Sequence, residues 1–492
     1  MGIIIRQSVK STIWSYLGIV VGYVNVGIIM PQFFDTAQVG LVQLFASVSL
    51  IMAQFGSLGF TSVINRMFPV FRDKNRKHNG FLFITFSVGL LGFFLTTAGF
   101  LILKPWIIEA NIDQSPLFVD YLWLLVPLLI MRVMFPLLDN YNKMLYDTVT
   151  GIFWMEFMHK FINLVLIIIF AFKWINFPQF FYGYLVSMSM PVFPLIYVLI
   201  RRGEFSLRPK FEFLTKPLRH EISTVMMFGF INGLAGVILL NADKVFVNQY
   251  LSLNDVGIFG VCSLFAMFIR VPYNSLSKIA TGIIAEAWKN DDHAKIKEIY
   301  RKSSLNQTIL GLLIFVLIMV NLDNIFQILP PAYSSGKWVL IIYSAGMLVN
   351  TIVGLAGYIT ETSKYFRMIS LYLLITILVQ IGLSVILIPR FGINGAAFVT
   401  VFSLVLNASL QAGFQAYHFG IYGLSKNQLY VLGIGIISLV IGWVLPDLPL
   451  IPDLIIRSFL VTLVFMGLTL GYKISADLNL LFLQTLNWFR KK

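Results

Sequence analysis

Stretches of about twenty residues with almost no charge recur along this chain from one end to the other. A helix needs ~20 mostly apolar residues to cross the hydrocarbon core of a bilayer. Backbone in lipid must satisfy its own hydrogen bonds, so only helices and closed barrels span it. Composition supports the lipid reading: 58% of the 492 residues are hydrophobic and 12% are charged. That is about half the charge of a soluble domain, which runs near ~25%. A membrane barrel would alternate polar and apolar residues along ~10-residue strands. Runs such as 310–320 and 371–387 are apolar on every side, so the expected fold class is an all-α polytopic membrane protein.

Hydropathy places about fourteen spans, at 11–33, 39–64, 80–102, 117–138, 151–172, 177–200, 222–243, 255–288, 304–323, 336–360, 366–388, 393–419, 428–445 and 453–473. The first resembles a signal peptide only loosely: its apolar stretch is long and no small-residue cleavage site follows, so it is expected to be retained. The eighth carries Pro272, where a bend is expected. With the N-terminus cytoplasmic, 25 of the 36 lysines and arginines fall on the cytoplasmic side, 5 on the other and 6 within spans. Lysine and arginine stay on the cytoplasmic side, so both termini are expected there. This distribution accounts for most of the net charge of +14 without nucleic acid. The single Cys262 allows no internal disulfide. No metal-ligand cluster is legible, and no cofactor is expected.

Two offsets suggest an internal repeat. Phe34-Asp35-Thr36-Ala37-Gln38-Val39-Gly40-Leu41 and Leu251-Ser252-Leu253-Asn254-Asp255-Val256-Gly257-Ile258 both enter a helix through Val-Gly-aliphatic, 217 residues apart. Phe177-Pro178 with Gly183, and Ile388-Pro389 with Gly392 and Gly395, enter theirs with prolines 211 apart. Halves of about six helices follow, related by an axis along the membrane normal. The expected division is residues 1–214 for one lobe with its basic linker, 215–425 for the second, and 426–492 for two further helices and a cytoplasmic tail.

Charge within the spans is where function is expected, because a central charge costs ~2.5–3.5 kcal/mol on insertion scales. Arg132 lies mid-span between Pro127 and Pro136. Arg270 and Lys278 share a broad helical face, with Asn274 four residues from each. Neither Arg132 nor Arg270 has a helical carboxylate nearby in sequence. These residues, together with Arg66 near the cytoplasmic end of the second span, are the substrate-cavity candidates. Glu156 and Lys160 are spaced to pair, with His159 beside them; they and Asp243-Lys244 are the candidates for ion or proton coupling or gating. Plainer roles stand beside these: a structural Glu156–Lys160 pair, snorkelling of Arg66 and Arg457 to head groups, and interhelical hydrogen bonds from Asn25 and Gln54. A cavity dominated by arginine and lysine suits an anionic substrate, since the guanidinium fork matches phosphate.

Asn241-Ala242-Asp243-Lys244, Gln249-Tyr250-Leu251, Asp255-Val256-Gly257-Ile258-Phe259 and Pro389-Arg390-Phe391-Gly392-Ile393-Asn394-Gly395-Ala396-Ala397 resemble the polysaccharide-transport branch of the multidrug/oligosaccharidyl-lipid/polysaccharide exporter superfamily. In that family the seventh helix ends in an Asp-basic pair followed by a short turn. Peptidoglycan-precursor flippases of the superfamily carry arginines in the first helix, and its multidrug branch carries an acid there. Here Ile13–Met30 has no arginine, and no acid precedes Asp35. The resemblance implies a flippase that moves an undecaprenyl-pyrophosphate-linked oligosaccharide between leaflets of a bacterial inner membrane, by alternating access through a cationic cavity. Membrane lipids and polysaccharide polymerase or assembly proteins are its implied partners. No Walker-type loop is present, so an ion gradient or removal of product would drive it, and no enzymatic activity is expected. The alternatives are a multidrug/cation antiporter, which the basic spans disfavour, and a polysaccharide polymerase or ligase, which the short external loops disfavour.

Overall fold

The computed structural model describes residues 2–423 and 425–490. Side chains at 2–6, 8, 275, 278, 279, 481 and 485–490 fall outside that description, so the Lys278 side chain does too. Among the described residues the secondary structure is helical, without strands, and 13 helical segments are long and apolar enough to cross a membrane. One of them, Arg367–Phe419, has 53 residues. At 1.5 Å per residue it would be ~80 Å long, more than twice the bilayer core. Gly392 breaks it with φ 60° and ψ −143°, in the left-handed region that glycine tolerates best. The segment is therefore two spans, and the fourteen expected from hydropathy are all present.

The chain forms two compact units, Met1–Gly260 and Val261–Lys492. The first unit holds α1 (Val9–Phe33), α2 (Thr36–Ser57), α3 (Phe60–Phe71), α4 (Phe81–Asn111), α5 (Pro116–Met144), α6 (Val149–Ala171), α7 (Phe177–Arg201) and α8 (Lys216–Tyr250). Polar side chains set the helix starts. Asp35 and Gln38 form a capping box on α2, and Asn176 and Gln179 form one on α7 with bonds of 3.0 and 2.9 Å, satisfying amides that lipid cannot. The second span breaks at Leu58 and Gly59, both with positive φ. A Cβ on Gly59 would collide with the α8 backbone at Met226 and Phe230, so the break admits a close crossing. Below it, α3 buries Phe60, Phe68 and Phe71 against Phe81, Leu137 and Tyr141.

The two Val-Gly entries matched in sequence meet in space. A Cβ on Gly40 would strike the Leu253 carbonyl, and one on Gly257 would strike the Thr36 carbonyl. Thr36 Oγ1 also donates to Asn254 Oδ1 at 2.6 Å. Small residues let membrane helices approach this closely, and the contact is reciprocal.

Two expectations are corrected. The third span does not stop at residue 102: α4 runs through Pro105 to Asn111, which shortens the external loop. The seventh does not end at Asp243-Lys244, because α8 continues to Tyr250 and both side chains are buried.

The second unit holds α10 (Val271–Lys289), α11 (His293–Val320), α12 (Lys337–Val353), α13 (Arg367–Phe419), α14 (Lys426–Val444) and α15 (Leu450–Gly471), preceded by α9 (Leu253–Met267), in which the boundary falls. Between α9 and α10 a 3-10 turn spans Phe268–Arg270, just before Pro272. Proline has no N–H and clashes with the preceding turn, and the helix tightens into this 3-10 turn where the bend was expected. Gly354, with φ +67°, ends α12.

Candidate functional site

In the first unit, α5 carries Arg132 into the interior, where it is 7% exposed. Its Nε donates to Ser49 Oγ of α2 at 3.3 Å. Tyr184 of α7 and His159 of α6 lie within electrostatic reach. No carboxylate pairs with Arg132 among the described residues. A buried guanidinium normally needs an opposite charge or several acceptors, so one neutral hydroxyl leaves most of its fork for another ligand.

Beside it, α1 and α6 each contain a π-helical segment, Val24–Ile29 and Phe153–Met158. Such bulges release backbone groups and often mark functional sites. Glu156 and Lys160 form the expected pair at 3.0 Å, with Glu156 43% exposed. His159 Nδ1 sits 2.6 Å from the Met155 carbonyl. Asn25 Nδ2 donates to the Lys160 carbonyl at 2.7 Å, which bears out an interhelical role. Gln54 packs against Gly233 of α8. At the end of α5, Asp139 pairs with Lys143 at 2.5 Å. Asp243 and Lys244 face each other at 3.8 Å with side chains 1% and 8% exposed. Arg66 on α3 is exposed, unlike Arg132.

In the second unit, Arg270 closes the 3-10 turn before α10. Its Nε is buried without a hydrogen-bond partner among the described residues. Its guanidinium carbon lies 5.4 Å from the Tyr273 ring centroid, a cation–π distance. Asn274 is exposed. The structure therefore describes Arg270 and Asn274 one helical turn apart.

Arg457 does not snorkel. It is buried and bonded on every side: Nε and Nη2 each contact Asp453 at 2.9 Å, Nη1 donates to the Gly442 carbonyl at 2.6 Å, and Nη2 reaches Asp447 at 3.2 Å. Asn324 adds a 2.6 Å bond to Asp453. The i,i+4 spacing of Asp453 and Arg457 is the sequence signal for this pair.

No family model matches the sequence. Over 491 residues the chain is 21% identical to an uncharacterized membrane protein of Methanocaldococcus jannaschii, with 94% of each covered. In three dimensions it is similar to the lipid II flippase MurJ in an inward closed conformation, with a TM-score of 0.74 at 12% identity, covering 96% of this chain and 100% of that one. An inward-facing multidrug-resistance MATE transporter of the MOP superfamily gives 0.64 at 15% identity, over 83% and 98% of the two chains. A MOP superfamily transporter from Pyrococcus furiosus, described as having a binding pocket of reverse polarity, gives 0.59 at 14% identity, over 85% and 95%. The chain thus has the helical membrane fold shared by the MurJ flippase and the MATE transporters of the MOP superfamily.

Proposed function

We propose that this protein is a flippase for a lipid-linked oligosaccharide carried on a polyprenyl pyrophosphate, moving the head group from the cytoplasmic to the outer leaflet. The observation that carries this reading is a pair of arginines left without a carboxylate partner in the expected spans. Glu156, Asp139, Asp243 and Asp453 each lie beside a lysine or arginine. Arg132 and Arg270 have no acidic partner among the described residues. Uncommitted arginine in a low-dielectric setting favours phosphate, which its planar fork can bind bidentately.

In this reading Arg270 contacts the pyrophosphate, and Arg132 and Lys278 support the field. Asp243-Lys244 and Glu156-His159-Lys160 serve coupling or gating. The two lobes at 1–214 and 215–425 alternate access, both termini are cytoplasmic, and polysaccharide assembly proteins consume the product. The likeness to a lipid II flippase supports the transport class, and the reverse-polarity pocket of the Pyrococcus furiosus protein shows that this fold accommodates more than one polarity of lining. A multidrug/cation antiporter is the second reading, supported by the MATE likeness.

The test is transbilayer movement in proteoliposomes, with a fluorescent polyprenyl-pyrophosphate oligosaccharide in one arm and a cationic drug in the other. Movement of the lipid-linked sugar, strongly reduced by Arg270→Ala at equal incorporation, is expected. Drug movement with a static lipid would replace the flippase by the antiporter. For orientation, a reporter active only outside the cytoplasm, fused to the C-terminus, should stay silent.

A further inference from the structure

Gln307 of α11 is fully buried, and both ends of its amide, Oε1 and Nε2, lack a hydrogen-bond partner among the described residues. An amide can donate two bonds and accept two. Its neighbours on the same helix are satisfied. Ser304 Oγ donates to the Ile352 carbonyl of α12 at 2.6 Å and accepts from Gln428 Nε2 of α14 at 2.8 Å, and Thr308 Oγ1 donates to the Ser304 carbonyl at 2.7 Å. A buried donor or acceptor left unpaired costs roughly a factor of ten in population. Leucine would fill a similar volume without that cost, so Gln307 weakens the conformation in which it is found.

The amide lies against a break in a neighbouring helix. Helix α12 stops at Val353, Gly354 takes φ 67° and ψ −133°, and a short helix then runs from Ala356 to Glu361. Glycine adopts that backbone readily and residues with a Cβ avoid it. A Cβ on Gly354 would also come within 2.9 Å of Gln307 Oε1. The two sides of the break are tied to different helices. Ser304 of α11 holds the Ile352 carbonyl before it; Gln415 of α13 donates to the Ala356 carbonyl at 3.2 Å and to the Thr360 hydroxyl after it. Helix ends release backbone N–H and C=O groups, and Gln307 offers an acceptor and a donor beside them. The turn carrying Arg270 rests on the same part of α11: a Cβ on Gly311 would meet Thr351 Cγ2 of α12 at 3.1 Å and Ile269 Cγ2 at 3.7 Å.

We infer that Gly354 is a hinge in the second unit and that Gln307 is the catch for its other position. In that second conformation the backbone released at the break bonds the Gln307 amide. The unpaired amide keeps the present conformation close in free energy to the other, which is what a two-state element needs. Because Thr351 and Ile269 both sit at Gly311, the hinge reaches the turn that bears Arg270. Placing the motion in a transport cycle rests on the flippase reading; the hinge itself does not.

The experiment uses the full chain in nanodiscs with Cys262→Ala and spin labels on Lys302→Cys of α11 and Lys364→Cys just beyond the short helix, both exposed positions. Pulsed electron resonance reads the distance between them, and two distances are expected. Gln307→Leu removes the unpaired amide from the present conformation and the catch from the other. It should shift the populations about tenfold toward the present distance, raise thermal stability and slow transbilayer movement. Gly354→Ala, strained here by its φ and by Gln307 Oε1, should shift them the opposite way; if it assembles poorly, Gln307→Leu decides alone. A single distance that Gln307→Leu leaves unchanged, a loss of stability in Gln307→Leu, or shifts of the two variants in the same direction would overturn the hinge. Opposite shifts without any transbilayer movement would retain the hinge and sink the flippase; movement at wild-type speed in Gln307→Leu with unshifted distances would do the reverse.

Discussion

Arg132 in the first unit and Arg457 in the second are equally buried, each 7% exposed, yet their surroundings are opposites. Arg457 spends its fork on two carboxylates and a backbone carbonyl. Arg132 meets one serine hydroxyl. Burial and charge are therefore insufficient to mark a functional residue in a membrane protein. The separating property is saturation: a satisfied arginine holds helices together, and an unsatisfied one has capacity for a ligand. Arg270 belongs with Arg132, its buried Nε being without a hydrogen-bond partner among the described residues.

The largest effect should come from breaking the saturated site. Removing one member of a buried ion pair strands the other, at a cost of about 3–5 kcal/mol. Asp453→Ala and Arg457→Ala should each lose membrane abundance and thermal stability, measured by fluorescence-detected size exclusion during heating. The double variant Asp453→Leu/Arg457→Met should recover much of the loss. A stable, inactive Arg457→Ala would break the comparison and make Arg457 functional.

The unsaturated arginines should behave the other way. Arg270→Ala should keep its abundance and lose the tenfold to hundredfold of binding that about 1.5–3 kcal/mol represents, read as transport at limiting cargo. Arg270→Lys, which keeps the charge and loses the fork, should fall between. Wild-type transport in well-assembled Arg270→Ala removes Arg270 from the site. Loss of abundance instead would move it into the class of Arg457.

Orientation of Arg132 should matter less than its charge. Ser49→Ala deletes one hydrogen bond, worth about 0.5–1.5 kcal/mol, so transport should drop severalfold at unchanged abundance, and Arg132→Ala should drop it further. Equal losses would mean that the hydroxyl, and not the charge, is what the site needs.

The smallest effect is expected at Glu156–Lys160. Glu156 is 43% exposed, and exposed pairs contribute about 0–1 kcal/mol. Glu156→Gln should barely change thermal stability. A change in the dependence of transport on the proton gradient, without a change in stability, would sharpen its assignment from structural pair to coupling group.

Hydropathy by itself determined the span count, including the two spans that share one continuous-looking helix across Gly392, because the thickness of the bilayer limits each segment locally. The Glu156–Lys160 pair was equally legible, since residues four apart share a helical face. Helix ends were less so. Pro105 and the Asp243-Lys244 pair read as punctuation, but α4 and α8 run through them. Pro105 removes only its own N–H from the ladder, and the Asp243–Lys244 charges are buried beside each other. What only the tertiary structure decided is which charges are spent. Asn324 reaches Asp453 from 129 residues away and Ser49 reaches Arg132 from 83. Hydropathy and helical spacing are sums over near neighbours in the chain, whereas the saturation of a buried charge depends on neighbours that only packing supplies.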